Sequence, residues 1–297
     1  MRQWLDTHLH LLYPERLHYD WTAGLPALQL PFHLQSYLSE ARSLNIGPAL
    51  HMEADVRDAE IEAETQLVEE LAQDPSGGIL GAISSCRPES TDTRAFASFA
   101  ERTTVNPLIR GFRRVLHTQP AELASSERFR AHLRLLTAQG HPFDLCVLSS
   151  QLAQAAELAR SLPHATFVLN HCGIPPVASG ELEHWRGQIR TLATLPNVQC
   201  KISGVIAYGD PSRWPSGDIA AIADDLRPYI EQVIHSFGWQ RVVWGSDFPV
   251  CKLTKGLTAW KQVTDLLMRG ASDSELDALA QGNARRIYRL NQARTPS

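Results

Sequence analysis

Short runs rich in β-branched and aromatic residues alternate with longer stretches whose apolar positions recur every three or four residues, and the alternation continues from Gln3 to Leu290. The short runs predict eight strands: Gln3–Leu9, Ile46–Met52, Ile79–Ser84, Leu108–Leu116, Pro142–Leu148, Ala165–Asn170, Val198–Ile202 and Arg241–Gly245. Between them the helical spacing is plain in His33–Leu44, Ala59–Ala72, Ser126–Gln139, Gln151–Leu162 and Ile219–Phe237. Strand and helix in strict alternation imply βα units around a parallel sheet. Eight units suit closure into a (β/α)8 TIM barrel, an α/β fold that occupies chains of this length as a single domain, here 1–297. An open doubly wound sheet would carry a glycine-rich phosphate loop after its first strand, and none follows Leu9.

Two departures from a minimal barrel are legible. Residues Leu11–Pro31, rich in Pro, Tyr and Trp, make a first βα loop far longer than such connections need, and loops of that kind at a barrel mouth carry function. After the last strand, helical patterns at Trp260–Arg269, Ser272–Gln281 and Asn283–Leu290 predict extra C-terminal helices.

Composition narrows the function classes. Apolar residues at 43% provide for a large core, while a net charge of −4 with scattered basic residues gives no footprint for nucleic acid or anionic membrane. The patterned segment begins at Gln3, and no apolar run approaches a membrane span, so a cytoplasmic protein is expected. Five widely spaced cysteines, mostly within apolar segments, suit reduced thiols better than disulfides or a zinc ribbon. Association into a homo-oligomer stays open.

In a barrel the C-terminal strand ends face the active site, which singles out a few polar residues. Asp6, His8 and His10 alternate along the first strand, so both imidazoles share a face, as metal ligands or proton-transfer groups. His171 closes the sixth strand and Asp247 the eighth, where a satisfied core histidine and a turn-capping aspartate are the bland readings. Independent structural uses have no reason to converge on one mouth. Lys201 lies in an apolar strand and needs water or a partner, because an unpaired buried ammonium is costly; it either snorkels or pairs with a site carboxylate or the substrate. Of Arg113 and Arg114 alternation allows one to point inward, where it would offer a fork to a carboxylate or to hydroxyls. Glu53 ends the second strand as a hydroxyl acceptor or metal ligand, and Tyr19, Asp20 and Trp21 of the long loop could stack on a substrate ring.

The segments Asp6-Thr7-His8-Leu9-His10, Asn170-His171-Cys172-Gly173, Lys201-Ile202-Ser203-Gly204 and Trp244-Gly245-Ser246-Asp247-Phe248-Pro249 resemble the amidohydrolase-2 group, in particular its L-rhamnono- and L-fucono-lactonases and 2-pyrone-4,6-dicarboxylate lactonase. The resemblance implies a catalytic group of His8, His10, His171 and Asp247, with Arg113 and Lys201 contacting a small-molecule lactone; Glu53 and Trp21 are expected in the same binding site from their places at a strand end and in the long loop. It implies a carboxylic-ester hydrolase in which Asp247 takes a proton from water and returns it to the ring oxygen, with the oxyanion met by a metal or by the three histidines. One divalent ion, zinc by donor type, on His8, His10, His171 and Asp247 is one version; metal-free hydrolysis is the other. Strand five lacks a terminal histidine and strand four carries arginine instead of a bridging lysine, so at most one ion is expected. A non-oxidative decarboxylase of aromatic acids and a metal-dependent amide hydrolase use nearly the same residues and remain the alternatives.

Overall fold

The computed structural model describes residues 2–74, 77–120, 122–214 and 218–290; the outermost residues of the expected 1–297 domain lie outside the described ones. Eight parallel strands pair in chain order: β1 (Trp4–Leu9), β2 (Ile46–Met52), β3 (Ile79–Ser85), β4 (Ile109–Val115), β5 (Phe143–Cys146), β6 (Phe167–Leu169), β7 (Val198–Ser203) and β8 (Val242–Gly245). Almost every strand residue is buried, as expected where a sheet is covered on both faces. The ring closes through the ends of β1 and β8. Leu9 bridges Phe248, and the backbone N–H groups of His10 and Asp247 donate to Phe248 and His8 carbonyls, both at 2.8 Å. The Asp6 carboxylate accepts from the Ser246 and His8 N–H groups and from the Tyr37 hydroxyl.

The covering helices are α1 (Leu34–Ser43), α2 (Ile61–Ala72), α3 (Thr93–Thr104), α4 (Glu127–Thr137), α5 (Leu152–Ser161), α6 (Leu182–Ala193), α7 (Ile219–Phe237) and α8 (Gly256–Leu267), followed by the short α9 (Asp273–Asp277) and α10 (Asn283–Ile287). Side-chain caps start several of them: Asp92, Ser126 and Asp218 accept from the N–H three residues on, each worth about 1 kcal/mol. Leu5, Leu50, Met52, Ile83, Val168 and Val243 pack together and against Ala284, Ile287 and Tyr288, so α10 stoppers the barrel interior. Full burial of each large side chain contributes about 1.5–3 kcal/mol. All five cysteines are buried and unbridged. Among the described residues no helix is long and apolar enough to cross a membrane.

Local backbone conformation shortens two of the expected strands most, β5 and β6. β6 stops at Leu169 because His171 and Cys172 take left-handed backbone (φ 52° and 55°) and cannot continue a ladder. β5 stops at Cys146, and Leu148 begins a helical turn.

Candidate active site

A cavity of about 240 Å³ opens at the C-terminal strand ends, lined in part by His10, Arg113, His171 and Asp247. Trp21 and Leu25 of the long first loop form part of its wall. Of the seven non-glycine residues with positive φ among the described ones, three, Asp55, His171 and Asp247, line this cavity. Such backbone costs about 1–3 kcal/mol per residue and persists where the surroundings impose it. Gly204, also left-handed, makes room: a Cβ there would lie 2.1 Å from Asp247 Oδ2.

His8, His10 and Asp247 place one donor atom each within 4.8 Å of the others. His10 Nδ1 lies 3.0 Å from the Met52 carbonyl, which only accepts, so Nδ1 carries the proton and Nε2 a lone pair. The Arg113 guanidinium, always a donor, lies 3.3 Å from His8 Nε2, which therefore also presents its lone pair. Those two Nε2 atoms sit only 3.2 Å apart, each 3.6 Å from Asp247 Oδ1. Converging lone pairs and a carboxylate oxygen repel one another unless a cation lies among them, and two imidazoles with one carboxylate are an ordinary donor set for zinc. The residues fit one divalent ion. His171, expected as a fourth ligand, stands outside this group: its Nδ1 is turned to Ser203, 3.1 Å from the carbonyl oxygen and from Oγ, and it meets Asp247 Oδ2 at 3.7 Å.

Burial lowers His8 and His10 well below the ordinary imidazole range. His171 falls to about 4, also through burial, with Asp247 opposing. Burial favours the neutral imidazole in all three, the form that ligates a metal. Burial pushes the Asp247 carboxyl up to about 6, with His171 pulling against it. Its Oδ2 is buried and without a hydrogen bond.

Arg113 is the inward arginine. Its Nε donates to Glu53 Oε1 at 2.6 Å and Nη2 to the Glu53 carbonyl at 2.7 Å, whereas Arg114 turns away to Glu89. Burial alone would raise the Glu53 carboxyl, but Arg113 and Arg87 outweigh it and hold it below its ordinary value. Glu53, expected to meet substrate, is sealed beneath the cavity as the arginine's counter-ion. Lys201, expected there too, is fully buried: Nζ donates to the Thr7 carbonyl at 2.9 Å and to Asp144 at 2.7 Å. An ammonium inside an apolar strand takes the nearest carboxylate, and that is Asp144, with no contact to the cavity. Of Tyr19, Asp20 and Trp21, only Trp21 lines the cavity. Tyr19 packs inside with its hydroxyl accepting from Tyr13 N–H, and Asp20 holds Arg57.

Asp55, His117, Cys146 and Tyr208 also line the cavity, and sequence reasoning did not single them out as site residues. Cys146 ends β5 and His117 follows β4 by two residues, so the strand-end rule reaches both; His117 Nδ1 lies 3.2 Å from Cys146 Sγ. Asp55 and Tyr208 sit on loops that no periodicity places.

Comparison with known proteins bears on the chemistry of this arrangement. The chain is 29% identical to an L-fucono-1,5-lactonase of Burkholderia multivorans over 305 residues, covering 96% of each chain. Its fold matches a crystal structure of an amidohydrolase from Burkholderia multivorans with bound zinc, at TM-score 0.85 and 24% identity over 97% of this chain and 99% of that one. It also matches a 5-carboxyvanillate decarboxylase of Sphingomonas paucimobilis, at TM-score 0.64 and 16% identity over 97% and 99%. A barrel with this donor set supports hydrolytic chemistry of the amidohydrolase and lactonase type. With the amidohydrolase family model matching residues 5–290, the chain belongs to the amidohydrolase family.

Proposed function

We propose that this protein hydrolyses the ester bond of a neutral sugar-acid lactone, such as L-fucono- or L-rhamnono-lactone. The observation that carries the reading is the division of labour within one buried carboxylate: Asp247 Oδ1 faces the two imidazole Nε2 atoms, while Oδ2 accepts no hydrogen bond, meets His171 Nδ1 only at 3.7 Å and belongs to a residue lining the cavity. Oδ2 takes a proton from water as the water oxygen bonds to the lactone carbonyl carbon. When the ring C–O bond breaks, the same proton passes to the departing alkoxide, leaving a hydroxy-acid. An ion held by His8, His10 and Asp247 would polarise the carbonyl and lower the pKa of bound water. His171, held by Ser203, keeps Asp247 in place, and Arg113 supplies the permanent positive charge of the cavity.

Charge supports a neutral substrate. Glu53 already compensates Arg113, and Lys201 is spent on Asp144, so neither is free to offset a dicarboxylate. Partly desolvated carboxylates without partners are costly. We expect kcat/KM for fucono-, rhamnono- and galactono-lactones to exceed that for 2-pyrone-4,6-dicarboxylate by at least about tenfold, about 1.4 kcal/mol. A preference for the pyrone, or carbon dioxide release from a hydroxybenzoate without lactone hydrolysis, would overturn the assignment.

A further inference from the structure

We infer that Asp55 is a specificity-determining residue that, with the indole of Trp21, binds the hydroxyl-bearing edge of a polyhydroxylated ring. The inference rests on the lactonase reading for the ring's identity and on the structure for the contact. Asp55 lies in the loop after β2, two residues beyond Glu53, and its side chain, about 30% exposed, lines the cavity. The two acids have separate fates. Glu53 is consumed by Arg113, whereas the Asp55 carboxylate meets Arg87 Nη2 only at 3.8 Å, beyond hydrogen-bond distance. Arg87 gives its short bonds elsewhere, to Asp58 Oδ1 and Ser85 Oγ at 2.7 Å each. An acceptor pair is thus left facing the cavity.

Its placement is imposed by the surroundings. Asp55 has φ 48°, and its N–H donates to Glu53 Oε2 at 2.8 Å, so the buried Glu53–Arg113 pair sets the backbone that presents Asp55. The next residue back, Ala54, accepts the Trp21 indole N–H at 2.7 Å. Carboxylate and indole are therefore fixed beside each other on adjacent loops. A carboxylate whose oxygens lie beyond hydrogen-bond distance of the nearest cation can accept from vicinal hydroxyls, while an aromatic face packs on the C–H face of the same ring. That pairing suits a polyol ring, and the negative charge disfavours an anionic one.

The test is calorimetric binding of a six-carbon polyhydroxylated δ-lactam, which is not hydrolysed, beside unsubstituted δ-valerolactam. Asp55→Asn is the variant, because Asn is nearly isosteric and tolerates positive φ. Losing a charge-assisted bond should weaken the hydroxylated lactam about 10- to 100-fold and change δ-valerolactam less than about twofold. Equal affinity of parent and variant for the hydroxylated lactam, parallel loss for both lactams, or no binding of it by the parent overturns the inference. Lactone hydrolysis by the parent is scored separately. A parent that binds the hydroxylated lactam through Asp55 yet hydrolyses no lactone sinks the lactonase reading and leaves the Asp55 contact standing.

Discussion

Two clusters of charged side chains are sealed inside the same barrel, one around Lys201 and the other around Asp247. In the first, Lys201 Nζ donates to Asp144 and to the Thr7 carbonyl, and Asp144 also accepts from Asn170 Nδ2 and the Tyr288 hydroxyl. Its one open group is Asn170 Oδ1. In the second, His8 Nδ1 and Asp247 Oδ2 have no hydrogen bond, two imidazole lone pairs face each other, and Asp247 holds a left-handed backbone. Burial is equal, so burial does not separate them. What differs is satisfaction: a network closed by protein groups holds the barrel together, and one left open at a cavity is poised for something that arrives from solution.

Substitution at the open cluster should remove chemistry and spare the fold. Asp247→Asn keeps size and burial but takes away the proton acceptor, and we expect kcat on lactones to fall by about 10²–10⁴-fold with an unchanged cooperative melt. Near-normal turnover in a folded variant would erase the distinction. The closed cluster should behave in the opposite way. Lys201→Met strands the Asp144 carboxylate and should cost about 3–5 kcal/mol of stability in denaturant titrations, with kcat of the folded fraction within a few-fold of the parent's. Adding Asp144→Leu should restore part of that loss. Selective loss of kcat in Lys201→Met at full stability would move Lys201 into the site.

The smallest effect sharpens the contrast without mutation. An open donor set should gain stability from its ion, so apoprotein titrated with zinc should take up one equivalent per chain and gain about 2.7 kcal/mol at a hundredfold excess over Kd. His8→Gln should abolish the gain. Two tight equivalents, both required for activity, would show a second ligand set beyond His8, His10 and Asp247.

Sequence by itself determined the eight strands, the long first loop, the closing helices and the convergence of His8, His10, His171 and Asp247 on one mouth. Periodicity is a local property: side-chain alternation and helical spacing follow from backbone geometry within a few residues, so a strand and its C-terminal end can be read without knowing any partner. Tertiary structure alone decided how the charges pair. Alternation allowed one inward arginine, and only the register of β4 against its neighbours chose Arg113 over Arg114. Glu53 became the counter-ion of a residue 60 positions away and Lys201 that of one 57 positions away, pairings that no local pattern announces. Asp55 stayed invisible for the related reason that a loop residue has no period, and its presentation depends on Glu53 being held by Arg113. A buried charge takes the partner that the completed fold brings nearest, and no window of sequence contains that partner.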